Sequence, residues 1–136
     1  MGWNPNADAT AFSLAIGGST VYTGGGFEHL SSVSRLCLAA IGTDAILKSW
    51  NPAADAKVYG LAVNLDGTVV YSGGDFTKIT IGSVSTPRDR AAAIGSDGTL
   101  QTWNPGANGT VDVLFMGLDG LTVYAGGSFT TIGNSI

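Results

Sequence analysis

Val70-Tyr71-Ser72-Gly73-Gly74-Asp75-Phe76 reads VYSGGDF, in which two strand-forming residues run into two glycines and then an aromatic. The string returns as VYTGGGF from Val21 to Phe27 and as VYAGGSF from Val123 to Phe129. A second landmark keeps step with it: Trp-Asn-Pro begins at Trp3, Trp50 and Trp103, which lie 47 and 53 residues apart. Landmarks in fixed order at a period near 50 mark a repeat architecture, each unit being one supersecondary element that buries its apolar surface on its neighbours. The repeats are expected at about 9–52, 56–105 and 109–136, within a single domain covering 1–136.

Within one period four short strands are expected, each closed by a turn signal. In the middle unit they are Val58–Val63, Thr68–Ser72, Arg90–Ile94 and Thr99–Trp103, segments a to d. Asp66-Gly67 joins a to b and Asp97-Gly98 joins c to d, a pair suited to two-residue hairpin turns. Proline cannot donate to a ladder, so Asn-Pro ends segment d and turns the chain toward the next unit. Gly24-Gly25, Gly73-Gly74 and Gly126-Gly127 would close segment b where a neighbouring backbone comes close or φ is positive. Phe27, Phe76 and Phe129, with Trp50 and Trp103, are expected between adjacent units.

No helical period is present, and four antiparallel strands per unit is the pattern of a β-propeller blade. The fold class expected is therefore all-β, with about two and a half blades forming an incomplete ring. Propellers close with typically four to eight blades, so the chain is expected either to be a piece of a longer one or to assemble head to tail as a homo-oligomer.

Composition agrees with sheet and tight turns: 44% of the 136 residues are hydrophobic, 12% are charged and 21 are glycine. The net charge of −4, with six scattered Lys and Arg, lacks the basic stripe that nucleic-acid binding needs. No apolar run approaches the roughly 18 residues of a membrane span. Met1-Gly2-Trp3 has neither the basic nor the apolar region of a signal peptide and reads as a boundary rather than a natural start.

The order VYSGGDF, RDRAAAIGSDGTLQTWNP, VDVLFMGLDGLTVYAGGSF resembles the delta-sixty-type β-propeller repeats of bacterial secreted and surface proteins. It is also similar to the kelch pattern, with a double glycine ending the second strand and a tryptophan in the fourth. The resemblance runs from Trp3 to about Phe129. It implies an extracellular or cell-surface bacterial protein with a binding or scaffolding role, and no shared catalytic set.

One histidine, His29, and one cysteine, Cys37, leave no three-histidine, Cys-His or blue-copper set, and no Asp-x-Asp-x-Asp-Gly loop offers calcium ligands. No cofactor or metal is expected. Cys37 reads as a buried small hydrophobe. Glu28-His29 would make an acid/base pair or an ordinary solvated loop; the matching positions are Thr77-Lys78 and Thr130-Thr131. Asp44, Asp66, Asp97 and Asp119 read as hairpin residues, and Asp8 and Asp55 as turn residues after Asn-Pro. Arg35 and Arg88, each six residues before an isoleucine, are expected to bond carbonyls between units, and Asn108-Gly109-Thr110 is a sequon in a glycine-rich turn.

In an up-and-down sheet the b–c and d–a connections share one face. They vary in length, as functional loops do. A protein or glycan ligand is expected there, with Glu28, His29, Lys78, Arg88 and Asp89 as candidate contacts and no catalytic residue. The rival expectation is part of a hydrolase or lyase whose site needs residues outside this chain.

Overall fold

A computed structural model describes residues 2–133; Met1 and residues 134–136, the expected end of the third repeat, lie outside the described residues. Thirteen strands follow in order: β1 (Ala11–Gly17), β2 (Thr20–Gly25), β3 (His29–Leu30), β4 (Val33–Ser34), β5 (Leu38–Gly42), β6 (Pro52–Ala54), β7 (Val58–Val63), β8 (Val69–Gly74), β9 (Lys78–Ile81), β10 (Val84–Pro87), β11 (Ala91–Gly95), β12 (Val111–Met116) and β13 (Val123–Gly127). The fold is all-β, built of small antiparallel sheets, none closed on itself.

Each repeat contributes one sheet to a stack, and two further sheets, β6-β9-β10 and β3-β4, lie outside it. The first orders β1-β2-β5, the second β7-β8-β11, and the third is the pair β12-β13. They stack face to face, with β7 packed between β1 and β12. Tyr22, Leu38 and Ala40 of the first sheet bury against Val58, Leu61, Val70 and Ile94 of the second. Ala62 of the second packs with Val111 and Leu114 of the third. Of the aromatics after the double glycines, Phe76 is wholly buried in the first of these layers and Phe129 partly buried in the second, while Phe27 is wholly buried apart from them, with Leu30, Ala39, Ile41 and Trp3.

The double glycine has a geometric cause. Opposite each pair the first strand of the sheet carries a bulge, with register shifts between Ala11 and Ser13, Val58 and Gly60, and Val111 and Val113. A bulge puts an extra residue against the partner strand and kinks it inward. A Cβ on Gly74 would collide with the Lys57 carbonyl oxygen, and one on Gly73 would meet the Val111 side chain of the next sheet. Close approach, not positive φ, is the requirement: neither glycine has a left-handed backbone. The bulges also re-aim Phe12, Tyr59 and Asp112, one residue per sheet.

Segment d is not a strand. Thr99–Trp103 makes only an Ile94–Leu100 bridge, with Gly95 N–H donating to Thr99 O and Gln101 N–H to Ala93 O. The tryptophan that ends the segment packs instead: Trp103 lies edge-on to Tyr71 at 5.2 Å, and in the preceding repeat Trp50 is buried edge-on to Tyr22 at 5.1 Å and donates its Nε1–H to Gly95 O of the next repeat at 2.8 Å. Trp3 repeats this bond to Gly42 O at 3.2 Å. The residues after Trp50 form a further edge strand, Pro52 heading β6, which pairs with β9. A strand's first position on a sheet edge is where proline is tolerated.

The b–c connections are hairpins rather than loops. β3 pairs with β4 across Ser31-Ser32, and β9 with β10 across Gly82-Ser83. The Asp-Gly turns also differ from a two-residue form. Only the glycines, Gly67 and Gly98, have positive φ, while Gly98 N–H bonds back to Gly95 O and Asp97 Oδ1 accepts Thr99 N–H. This is a type I turn closed by a left-handed glycine. In the first repeat the same place holds Ala45, at φ 67°. A left-handed conformation costs an L-residue roughly 1–2 kcal/mol. Ala45→Gly is therefore expected to stabilise the chain by about 1 kcal/mol, read as a raised urea midpoint; an unchanged or lowered midpoint would show that the turn carries no strain.

Candidate functional site

Each repeat joins its two variable connections by the same device. Five residues after the tryptophan, in Trp-Asn-Pro-x-Ala-Asp/Asn, a side chain reaches across to the start of the b–c connection. Asp8 Oδ1 accepts Glu28 N–H at 2.9 Å and His29 N–H at 3.1 Å. Asp55 Oδ1 accepts Thr77 N–H at 2.8 Å and Lys78 N–H at 3.1 Å. Asn108 Oδ1 accepts Thr130 N–H at 2.9 Å and Thr131 N–H at 3.0 Å. Asp8 and Asp55 are thus long-range staples, not local turn residues. The pairing is hidden in sequence because the partners lie 20 to 23 residues away. The fixed offset from tryptophan is its visible signal.

The second side-chain atom differs by repeat. Thr77 Oγ1 donates to Asp55 Oδ2 at 2.8 Å, and Asn108 Nδ2 donates to Thr130 Oγ1 at 2.7 Å. Glu28 cannot play that part, so His29 Nδ1 does, 2.9 Å from Asp8 Oδ2. A carboxylate only accepts, which places a proton on Nδ1. Of the two readings of Glu28-His29, the acid/base pair is not formed: the partner of His29 is Asp8. Asn6, Ala7, Ser31 and Ser32 complete an open cleft of about 530 Å³ around the two. Ser31 Oγ donates to Pro5 O, so it is held as a structural donor rather than aimed at the imidazole.

Hydrogen bonds from the His29 side chain, with those from the His29 and Glu28 amides, hold the Asp8 carboxyl down at about 2. At Asp55 burial pushes the other way, and bonds from Thr77 and Lys78 outweigh it, leaving a net depression. Asp66, Asp97 and Asp119 are lowered by the hydroxyls of Thr68, Thr99 and Thr122 and by backbone amides. A carboxyl whose folded pKa lies below its unfolded value, near 3.9, stabilises the fold above that value, and the contribution fades as pH falls through the folded pKa. For Asp8 the window runs from about 4 down to about 2. Asp8→Asn, copying Asn108, keeps an oxygen for the two amides and is expected to fold, to be less stable than its parent at neutral pH, and to flatten the pH dependence in that window. Urea midpoints between about pH 2.5 and 7 check it; a variant as acid-sensitive as its parent would show the staple is not the titrating element.

The remaining candidates do not gather into one cluster. Glu28 and Lys78 are exposed at the start of their connections, and Lys78 is tied to Asp55 through its amide. Arg88 donates to Pro87 O at 2.8 Å and Gln101 O at 2.9 Å, as Arg35 does to Ser34 O and Lys48 O. Both arginines therefore clamp carbonyls within a repeat, not between repeats. Asp89 is exposed, and its carbonyl accepts Ala107 N–H. The side chain of the sequon's Asn108 is engaged by Thr130 and Thr131. Cys37 is only partly buried and left-handed, at φ 63°, matching Arg90 at 66°. Burial, with Glu28 and Asp55 nearby, raises its thiol pKa. Among the described residues no three His, Cys, Asp or Glu side chains come together to hold a metal, and no helix is long and apolar enough to cross a membrane.

No family model and no curated protein matches the chain.

Proposed function

We propose that the stacked sheets are blades of a β-propeller of the delta-sixty or kelch-like type, and that the chain is a non-enzymatic binding or scaffolding module for a protein or glycan. The observation that carries this reading is the repeated staple. One device anchors all three b–c connections to the d–a connections, while what they present changes: His29 and Ser31-Ser32 in the first, Lys78 and the longer β9–β10 hairpin in the second. A constant base with a varied tip is how a scaffold supports recognition. Thr43 N–H bonding to Ser19 O, and Ser96 N–H to Thr68 O, gather the short turns at the opposite edge. By its resemblance the module belongs at a bacterial cell surface or outside the cell.

A glycan array and a panel of extracellular proteins, probed with the chain and with Lys78→Ala and His29→Ala, test the reading. Retention of a ligand that either substitution weakens supports it. The Asp8–His29 pair favours one second reading, a hydrolase or lyase completed by residues elsewhere. Turnover of a glycoside or polysaccharide substrate, abolished by His29→Ala, would replace binding with that activity.

A further inference from the structure

The two ends of the stack leave apolar faces that match each other. On β1, Leu14 is 60% and Ile16 70% exposed. Their counterparts one repeat on, by the shared bulge register, are Leu61 and Val63 of β7. Those lie against Gly24 and Gly17 of the first sheet, and Leu61 is 6% exposed. On β12, Val113 is 57% and Phe115 59% exposed, and Tyr124 of β13 is 60% exposed. The counterparts of the first two, Gly60 and Ala62, are covered by the third sheet: Gly60 lies against the backbone of Val113 and Leu114, and Ala62 is 7% exposed. Tyr22, the counterpart of Tyr124, is 3% exposed beneath Trp50.

The front of the stack therefore repeats a surface that, inside the molecule, is always covered by the preceding sheet. The back repeats one that is always covered by the next. Sheet-on-sheet contact is made twice within the chain by this pair of surfaces, and none of these exposed end residues is charged. Apolar patches of this kind mark association sites.

We infer that a second copy of this chain docks head to tail, the β1 face of each copy seated on the β12–β13 face of the other. The contact is heterologous, so it makes a ring if the rotation closes and a filament if it does not. The closure step rests on the propeller reading. Each copy supplies three stacked sheets, two of three strands and one of two, and among multiples of three only six falls within the roughly four to eight blades with which propellers close. With the two-stranded β12–β13 sheet taken as a thin blade, two copies give six stacked sheets, two identical interfaces and a closed dimer.

Sedimentation velocity and light scattering on the 136-residue chain test this, with Ile16→Asp altering one face and Phe115→Asp the other. Both positions are exposed, and circular dichroism checks that each variant is folded. The expected result is a species of twice 13.7 kDa for the parent and monomers for each variant alone. An equimolar mixture of the variants should recover dimer, because one of its two interfaces is then unaltered. A parent that stays monomeric at high concentration overturns the docking. A dimer that survives either substitution overturns the head-to-tail arrangement. Oligomers that grow without limit overturn the six-sheet ring, and with it the propeller curvature, separating that failure from a failure of docking.

Discussion

Gly74→Val is expected to destabilise the fold by about 3 kcal/mol, lowering Tm by roughly 10 °C. The added Cβ would meet the Lys57 carbonyl oxygen, with Val58 Cα at 2.9 Å and Lys57 C at 3.0 Å. These are backbone atoms at the bulged start of β7, which is hydrogen-bonded to β8, and they cannot swing aside as a side chain does. Gly26→Ser serves as the comparison. Its site has only ordinary contacts, the nearest being Lys57 Cγ at 3.5 Å, and the matching positions hold Asp75 and Ser128. That change is expected to stay within about 0.5 kcal/mol. Equal effects of the two substitutions in denaturant melts would refute the bulge as the reason for the double glycine.

Trp50→Ala is expected to cost about 4 kcal/mol, in the range for emptying a large aromatic site. The ring is 6% exposed, packs edge-on to Tyr22 and ties the first repeat to the second through Gly95 O. Trp50→Phe keeps most of the packing and loses only the indole bond, since Gly95 O still accepts Gly98 N–H, at about 1 kcal/mol. Trp103 packs on Tyr71 at 5.2 Å in the same manner but is only partly buried. Trp103→Ala is therefore expected to cost about 2 kcal/mol, half as much. Guanidinium melts of the three variants decide the order; a larger loss at Trp103 would falsify the tie between repeats assigned to Trp50.

The repeat, its all-β character and the strands β7, β8 and β11 are legible in sequence because their signals are local. Alternating apolar residues, Asp-Gly and Gly-Gly each act within a few positions. Thr99–Trp103 reads wrongly as a strand for the same reason: Thr-Leu-Gln-Thr-Trp has strand propensity, while its tryptophan is drawn to pack edge-on to Tyr71, far back in the chain. β9 and β10 escape notice because Lys-Ile-Thr-Ile-Gly-Ser-Val-Ser lacks the Asn-Gly or Asp-Gly cue and turns on Gly82 instead. At the candidate site His29 is visible, but sequence pairs it with the adjacent Glu28 rather than with Asp8. Proximity in chain is a poor guide where the staple spans two connections.

The placing of β7 between β1 and β12 has a consequence for how the molecule opens. Each sheet leans only on its neighbours, so protection from solvent is additive along the stack, as in a one-dimensional chain of coupled units. In a single undocked copy, such as the Ile16→Asp variant, the middle sheet is held from both sides, while the outer two are held from one. Amide hydrogens of Leu61, Ala62 and Tyr71 should thus exchange slowest, through global unfolding alone. Those of Phe115 and Tyr124 should exchange by fraying of the β12–β13 pair while the other sheets stay intact.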